Sequence, residues 1–358
     1  MRKTFGASGR GAMVTIKDIS REVGLSVTTV SRALNNHDDV ADKTRALVHE
    51  IARKLDYHPN AAARSLQNSR ANAIGLVIPP ILHRAYDTFW LEFIGGMTTS
   101  CARFGTDLLL SAADAGKDEG HDFKRLVRGR RVDGLLICDI RKADPRIAYL
   151  REHKLPFVAF GRTMDRHDYS YIDVDGEAGA FGAVDYLIRL GHQRIAYLGV
   201  ASDYSFSHFR LSGYRGALAR AGLPYNPQLV HESLTDGAAS TVLARLLDLP
   251  QRPTAIFASA DFLALGAIKA ARALGLSVPR DLSVVVFDDN ALVQQADPPL
   301  TAVTQPNRRL GEEAAALLLD RVKEPGLPLV QRLVVPSLST RLSTAPPFTQ
   351  SEIIAVAQ

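Results

Sequence analysis

Apolar residues recur at helical spacing close to the start of the chain. Ile16, Ile19 and Val23 mark one face of a predicted first helix, because residues three and four positions apart lie on the same side of an α-helix. Thr15 has the hydroxyl of an N-cap, with an acidic residue three positions later as the partner in a capping box. Gly24 is expected to end this helix. The pattern therefore predicts a short helix followed directly by a tight turn.

A second short helix is predicted over residues 27–35, with Ser26 as its N-cap. Its inward positions are Val30, Ala33 and Leu34, and its outward positions are Val27, Thr28 and Arg32. A helix, a glycine-containing turn and another helix make up the helix-turn-helix pattern, which lays its second helix in the major groove of DNA. This region therefore predicts a DNA-binding head.

A third helical segment, residues 43–57, is followed by a proline that ends it and by Asn60, which can cap a further helix over AAARSLQ. We call residues 60–67 the hinge. A helix of this length is unstable alone in water. We therefore expect the hinge to fold only when it pairs with its twin from a second chain on DNA.

Beyond the hinge, short apolar segments alternate with helical ones. The predicted strands are residues 73–79, 106–112, 132–139, 156–161, 171–175, 194–200, 254–259 and 282–289, and the helices of the second half are residues 176–190, 209–221, 237–248 and 261–274. Apolar runs of this length are typical of strands covered on both faces, and their alternation with helices predicts parallel sheets. The pattern restarts after residue 175, so we predict two similar α/β lobes with a ligand site at the carboxyl ends of their strands.

Charge is distributed unevenly along the 358 residues. Residues 1–70 contain 12 Lys and Arg against 7 Asp and Glu, whereas the rest contains 31 of each kind, and the formal net charge is +5. Phosphate binding needs a localised basic surface, although charge of this size is also found on ordinary solvated surfaces. There is no apolar run of 18 residues and no apolar core of a signal peptide. We therefore expect Cys101 and Cys138 to be buried thiols in a reducing cytosol.

Three segments together, VTIKDISREVGLSVTTVSRALN, KTRALVHEIARKLDY and YHPNAAARSL, resemble the lactose/galactose repressor (LacI/GalR) family of bacterial transcription regulators. The resemblance continues through the body to about residue 340. It implies an N-terminal all-α helix-turn-helix head with a hinge helix, followed by a two-lobed, periplasmic-binding-protein-like α/β core with parallel sheets. It also implies that the chain crosses between the lobes three times, near residues 173, 304 and 335.

The resemblance implies a division of the chain into five parts. These are a disordered extension (1–13), the DNA-binding domain (14–59), the hinge helix and linker (60–70), an effector-binding and dimerisation core (71–343) and a C-terminal tail (344–358). The first lobe is expected to comprise about residues 71–172 and 305–333, and the second about residues 173–304 and 334–343. The tail is too short and too rich in proline for a coiled coil, so dimers rather than tail-mediated tetramers are expected.

The residues expected to contact DNA lie in the head and the hinge. They are Thr15, Ser26, Val27, Thr28, Thr29, Ser31, Arg32, Asn35, Asn60, Ala63, Arg64 and Leu66. By resemblance to the family, Leu66 enters the minor groove and wedges open the central base step of the operator.

The effector contacts implied by the resemblance lie in both lobes. They are Phe89, Trp90, Arg162, Tyr204, Phe206, Arg210, Asp288 and Gln305. Arg210 offers a planar fork of donors to ligand oxygens, Asp288 is an acidic contact at the end of a strand, and the aromatic residues can stack on a ring. Leu234 stands where relatives often have an aromatic residue, so the stacking partner in the second lobe is either missing or supplied by Tyr204 or Phe206. Four of these residues also have a purely structural interpretation: Arg210 as a surface ion-pair partner, Asp288 as a helix cap, and Phe89 and Trp90 as core residues.

A two-lobed α/β body also occurs in two other classes of protein. A sugar-processing α/β enzyme would need a phosphate loop, a dinucleotide fingerprint or a nucleophile elbow, and none of these motifs occurs. A transport-type sugar-binding protein would need an export signal and would not need a DNA-binding head. The histidines have no metal-ligand spacing, and no cofactor is expected. The sequence thus predicts a cytoplasmic, nucleoid-associated repressor of sugar-utilisation genes, a homodimer that binds operator DNA and a small effector. A purine effector, and action as inducer or as corepressor, stay open.

Overall fold

The computed structural model describes residues 14–57, 70–78, 88–112, 120–165, 167–200, 203–232 and 238–347. It divides into two compact units, residues 1–71 and residues 72–358, which we call the head and the body. The predicted extension (1–13), the hinge (60–67) and the chain from residue 348 onward lie outside the described residues.

The head contains three helices: α1 (Ile16–Val23), α2 (Val27–Leu34) and α3 (Asp42–Lys54). Their apolar faces meet in a small core, whose buried members are Ile19, Val30, Ala33, Val40, Val48 and Ala52. The third helix ends three residues before its predicted end at residue 57, because Asp56 adopts a left-handed φ of 52° that interrupts the helical backbone.

The ends of the first two helices have the expected caps. The Asp18 carboxylate accepts hydrogen bonds from the backbone N–H of Thr15 at 2.9 Å and from its hydroxyl at 2.7 Å. Gly24 ends α1 with a left-handed φ of 70°, a conformation that glycine adopts without steric cost. The Ser26 hydroxyl accepts from the backbone N–H of Thr29 at 3.1 Å. These contacts fix the angle at which α2 leaves the turn.

The body is built on two six-stranded sheets. In chain order the strands are β1 (Ala73–Ile78), β2 (Asp107–Ala112), β3 (Gly134–Ile137), β4 (Phe157–Phe160), β5 (Tyr171–Val174), β6 (Ile195–Leu198), β7 (Val230–His231), β8 (Ala255–Ala258), β9 (Ser283–Phe287), β10 (Thr301–Thr304), β11 (Gln331–Val334) and β12 (Ser337–Ser339). The first sheet has the order β11-β5-β4-β3-β1-β2, and the second has the order β12-β10-β9-β8-β6-β7. All pairs are parallel except β10 with β12. The predicted pair of α/β lobes with parallel sheets is confirmed.

Helices cover the sheets. They are α4 (Thr88–Phe104), α5 (Gly120–Arg128), α6 (Pro145–Glu152), α7 (Gly176–Arg189), α8 (Ser205–Arg220), α9 (Ala238–Leu247), α10 (Asp261–Ala273), α11 (Ala291–Gln294) and α12 (Asn307–Lys323). Strands β3, β5, β6, β8 and β9 are buried along their whole length, which explains why their sequences are mostly apolar rather than alternating. Strand β11 is largely exposed and carries no such run, so the pattern of apolar residues did not reveal it.

The chain passes between the two sheets three times among the described residues. Strand β5 pairs with β11 in the first sheet, so the first crossing follows Val174, close to the predicted position near residue 173. The second crossing lies between Thr304, which ends β10, and Asn307, which begins α12. The third lies between Val334 and Ser337, where the chain leaves β11 for β12.

Helix α8 begins at Ser205, four residues before the predicted start at residue 209. At this start the backbone N–H of Ser205 donates to the carbonyl oxygen of Ile140 in the first lobe at 2.9 Å, a contact between remote parts of the chain that the sequence pattern does not show. Arg210 therefore lies in the second turn of α8 rather than at its beginning. Three residues further on, a methyl group at Gly213 would overlap the backbone of α7 at Glu177, so the absence of a side chain allows the close contact that positions α8.

Candidate DNA-binding face and effector site

The outward face of α2 carries the side chains that the sequence predicted to read bases. Val27 is 40% exposed, and Thr28 and Arg32 are exposed one helical turn apart on the same side. The opposite side is buried in the head, where Val30 and Ala33 are fully enclosed. An apolar side chain and a guanidinium are suited to contact a thymine methyl group and a guanine edge.

Arg32 forms an ion pair with Asp39, which lies between α2 and α3. Its Nε donates to one carboxylate oxygen at 3.1 Å, and its Nη2 lies 2.5 Å from the other. The hydrogen bond from Arg32 lowers the pKa of the Asp39 carboxyl. Sequence reasoning did not find Asp39, because a seven-residue separation across a turn has no characteristic pattern.

The other predicted DNA contacts have different surroundings. Thr15, Ser26 and Thr29 are engaged in the helix caps, Ser31 is half-buried, and Asn35 is the exposed C-cap of α2. Four further predicted contacts, Asn60, Ala63, Arg64 and Leu66, lie outside the described residues.

In the second lobe, Arg210 occupies the centre of a polar and aromatic cluster. It is buried, with 8% of its surface exposed, and its Nη1 donates to the carbonyl oxygen of Ser259. The guanidinium lies over the rings of Phe287 and Phe206, 3.7 Å and 4.9 Å from their centroids. Its Nε is buried with no hydrogen-bond acceptor among the described residues. This arginine therefore retains a donor that no described protein group satisfies.

Asp288 and Gln305 complete this cluster at the carboxyl ends of adjacent strands. Asp288 follows β9, and one carboxylate oxygen lies 3.5 Å from Nη1 of Arg210. The other oxygen accepts a hydrogen bond from the amide of Gln305, which follows β10. Asp288 has a φ of 84°, a left-handed conformation that is uncommon for residues other than glycine and often occurs at functional sites. The structure thus brings together three of the predicted effector contacts.

Tyr204 and Phe206 lie at the start of α8. Their rings are stacked, with centroids 5.4 Å apart and planes inclined by 10°. Phe206 in turn lies against Arg210. Both residues that the sequence offered as stacking partners of the second lobe are therefore at the site.

In the first lobe, Phe89 joins an aromatic group at the carboxyl ends of β1 and β4. Its ring centroid is 5.3 Å from that of Phe93 and 5.6 Å from that of Phe160. Trp90 packs edge-on against Phe89 and has only 7% of its surface exposed. Phe89 is half-buried. Trp90 is thus a core residue in this structure, which corresponds to the alternative given for it in the sequence analysis.

Arg162 connects the two lobes. It follows β4, its Nη1 lies 2.9 Å from a carboxylate oxygen of Asp173 in β5, and its guanidinium lies 4.0 Å from the ring centroid of Phe209 on α8. Burial raises the pKa of Asp173 to about 6, and the positive charge of Arg162 opposes this rise. Sequence reasoning treated Asp173 only as a crossing point. An acidic residue inside the apolar strand YIDV was the available signal.

Among the described residues, no helix is long and apolar enough to cross a membrane. Nor do those residues include a group of three or more His, Cys, Asp or Glu side chains placed to hold a metal ion.

A three-helix head with a helix-turn-helix, joined to a two-lobed α/β body with a polar, aromatic site, defines the class of ligand-controlled DNA-binding regulators. Comparison with known proteins supports this class. The model of bacterial regulatory proteins of the lacI family matches residues 15–60, and the model of the periplasmic binding protein-like domain matches residues 184–344.

Similar proteins are found over nearly the whole length. The HTH-type transcriptional repressor CytR of Escherichia coli (strain K12) is 34% identical over 92% of this chain and 96% of its own. The structure of a transcriptional regulator CelR–cellobiose complex is 30% identical over 92% of this chain and 99% of its own, with a TM-score of 0.71. The lac repressor dimer bound to operator and the anti-inducer ONPF is 27% identical over 93% and 100%, with a TM-score of 0.80. The chain belongs to the LacI family, and it is a DNA-binding transcription regulator rather than an enzyme.

Proposed function

We propose that this protein represses sugar-utilisation genes and that a sugar or sugar derivative bound in the body controls its affinity for DNA. The observation that carries the effector part is the buried Arg210, which has an unsatisfied Nε beside a carboxylate and two aromatic rings. A guanidinium and a carboxylate can together bind neighbouring hydroxyl groups, and aromatic rings pack against the apolar face of a sugar. The similar CelR structure holds cellobiose, which favours a sugar over a purine.

The proposed site lies at the carboxyl ends of both sheets. Arg210 and Asp288 belong to the second lobe, Gln305 lies in the crossing that follows β10, and Phe89 and Arg162 contribute from the first lobe. A ligand that contacts both sets binds one lobe arrangement better than another, so it shifts the balance between them. We propose this shift as the origin of the effector response.

On the DNA side we propose that Val27, Thr28 and Arg32 contact bases, and that the hinge pairs with that of a second chain and inserts Leu66 into the minor groove. The domain boundaries proposed for this purpose are 14–59 for the DNA-binding domain and 60–70 for the hinge. A single recognition helix on one half-site binds weakly, so two heads are needed on a palindromic operator. The site of action would be the bacterial cytoplasm, on the nucleoid.

The body offers a surface for the proposed dimer. Leu91 and Phe104 on α4 are 76% and 47% exposed, and Leu110 on the edge strand β2 is 45% exposed. Large exposed apolar side chains on a helix and on the edge strand of a sheet offer area that a partner chain could cover. The similar lac repressor is a dimer on its operator, which supports the same assembly here.

A thermal-shift screen against sugars and purine compounds, followed by operator binding with each hit, tests the proposal. A ligand at 100 times its dissociation constant adds about 2.7 kcal/mol to the free energy of unfolding. A sugar that raises the melting temperature and changes DNA affinity is the expected result. Stabilisation by purines alone would contradict the sugar assignment, and a chain that selects no DNA sequence would contradict the regulatory function.

A further inference from the structure

We propose that Asp39 is a positioning residue that aims Arg32 at a guanine and thereby sets base specificity. This inference rests on the proposed DNA-reading role of α2 and adds a residue outside that helix. The observation is the two-point contact between the Asp39 carboxylate and one particular edge of the Arg32 guanidinium.

The edge that Asp39 occupies leaves the other edge available. Asp39 binds Nε and Nη2 of Arg32, which make up the side edge of the guanidinium. A guanidinium has five N–H donors in a fixed planar fork, so one hydrogen of Nη1 and one of Nη2 stay available along the end edge. A bidentate contact with O6 and N7 of guanine requires two parallel donors of this kind. The pair therefore preserves the donors needed for base recognition.

The segment that carries Asp39 is itself held in place. Nη2 of Arg45 on α3 donates to the carbonyl oxygens of His37 and Val40, each at 3.0 Å. The Val40 side chain is buried in the core of the head, and the backbone N–H of His37 donates to the carbonyl oxygen of Arg32 at 3.1 Å. Asp39 is thus a fixed acceptor for a side chain that would otherwise sample many rotamers.

This arrangement favours specificity over stability of the fold. The side chains of Arg32 and Asp39 are 47% and 55% exposed, and exposed ion pairs contribute little to folding. The negative charge of Asp39 also repels DNA phosphates. Ordering a flexible side chain in advance, in contrast, removes an entropic cost at the moment of base contact. The benefit is expected only where Arg32 meets its correct base.

The neighbouring Asp38 provides a matched control, because it is exposed and carries the same charge one residue away. The test uses the full-length protein as parent, Asp39→Asn, Asp38→Asn and Arg32→Ala. Binding-site selection on the parent defines the operator. Affinities of all four proteins are then measured on that operator, on its single-base variants and on a random duplex across a salt series.

Asp39→Asn is expected to lower discrimination, the ratio of the affinity for the operator to that for a single-base variant, by about two- to tenfold. This is the size of effect expected from ordering one flexible side chain. The loss should occur at the same symmetric pair of positions at which Arg32→Ala loses discrimination. Asp38→Asn should leave discrimination at every position unchanged. Both asparagine variants should bind the random duplex more tightly, because each removes one negative charge. A purely structural role for Asp39 would instead weaken binding to all duplexes alike.

Two results would overturn the inference. One is Asp39→Asn with parental discrimination at the positions that Arg32 reads, and the other is a loss of discrimination that Asp38→Asn reproduces. Either of these would leave the regulatory function intact, because the parent would still select an operator. If the parent selected no sequence at all, the proposed function itself would fail, which is a separate and recognisable outcome.

Discussion

The head and the body each contain an arginine paired with an aspartate, and the two pairs lie in opposite surroundings. In the head, Arg32 and Asp39 have side chains 47% and 55% exposed. In the body, Arg162 and Asp173 have side chains 12% and 11% exposed, at a separation of 2.9 Å. Water screens the first pair and leaves its arginine able to take a new partner such as a base. Burial makes each member of the second pair dependent on the other.

The difference shows how one type of contact serves two purposes. An exposed pair can orient a side chain at little energetic consequence for the fold. A buried pair must stay intact, because removal of one partner leaves an uncompensated charge away from water. Arg162 of the buried pair also contacts the ring of Phe209 on the other lobe. Through this contact the pair links the two lobes.

The largest expected effect follows from breaking the buried pair. Arg162→Met keeps the length of the side chain and leaves Asp173 without its cation, so we expect a loss of about 3–5 kcal/mol in the free energy of unfolding at pH 8. Urea denaturation measures it. The double variant Arg162→Met/Asp173→Asn should recover most of this stability, because it also removes the uncompensated buried charge of Asp173. A single variant as stable as the parent would show that the pair is effectively solvated.

The pH dependence of stability tests the same site. Burial raises the pKa of Asp173 from 3.8 to about 6, so between these values the folded protein holds a proton that the unfolded chain releases. The contribution of this group to the free energy of unfolding is therefore present below about pH 4 and is lost as the pH rises to 6. It amounts to about 3 kcal/mol at 1.36 kcal/mol per pKa unit.

The measurement is the unfolding free energy of the parent and of Asp173→Asn from pH 4 to pH 7. The variant lacks the titrating carboxyl, so its stability relative to the parent should increase across this window. A constant difference between the two proteins would mean that Asp173 titrates at its ordinary pKa.

Replacement of Arg210 is expected to act on the effector and not on DNA. Arg210→Ala removes a charged donor, and a hydrogen bond to a charged group contributes about 1.5–3 kcal/mol, which is one to two decades in affinity. Calorimetry with a sugar identified by thermal shift measures this loss. Because linkage between two sites is reciprocal, the effect of that sugar on operator affinity at a fixed subsaturating concentration should fall as well.

Two controls apply to Arg210→Ala: without effector, its operator affinity and the salt dependence of that affinity should equal those of the parent. Undiminished sugar affinity would assign Arg210 a structural role.

The smallest effect is expected from the exposed pair. Arg32→Met should leave the denaturation midpoint unchanged within the error of measurement, because its charge partner stays solvated after the replacement. The same substitution at Arg162 provides the matched comparison. A clear shift of the midpoint in Arg32→Met would show that the head depends on this ion pair for its stability, and the contrast between the two regions would disappear.

Local patterns were enough to predict much of the molecule. The helices of the head follow from apolar residues at helical spacing together with Thr15, Gly24 and Ser26, whose capping roles depend on their immediate neighbours. The buried strands follow from continuous apolar runs. Resemblance to the family led to Arg210 and Asp288, which the structure places together.

Contacts between distant parts of the chain were decided only by the tertiary structure. Strand β11 has little apolar character, and it exists because it pairs with β5, some 160 residues earlier. Burial of Asp173 beside Arg162, and the raised pKa that results, depend on how β4, β5 and α8 pack. The pairing of Arg32 with Asp39 likewise requires the fold of the segment between α2 and α3. The sequence by itself determined which segments become helices and buried strands, because those preferences are local. The tertiary structure alone decided which charges are buried together, because desolvation and pairing depend on neighbours that are remote along the chain.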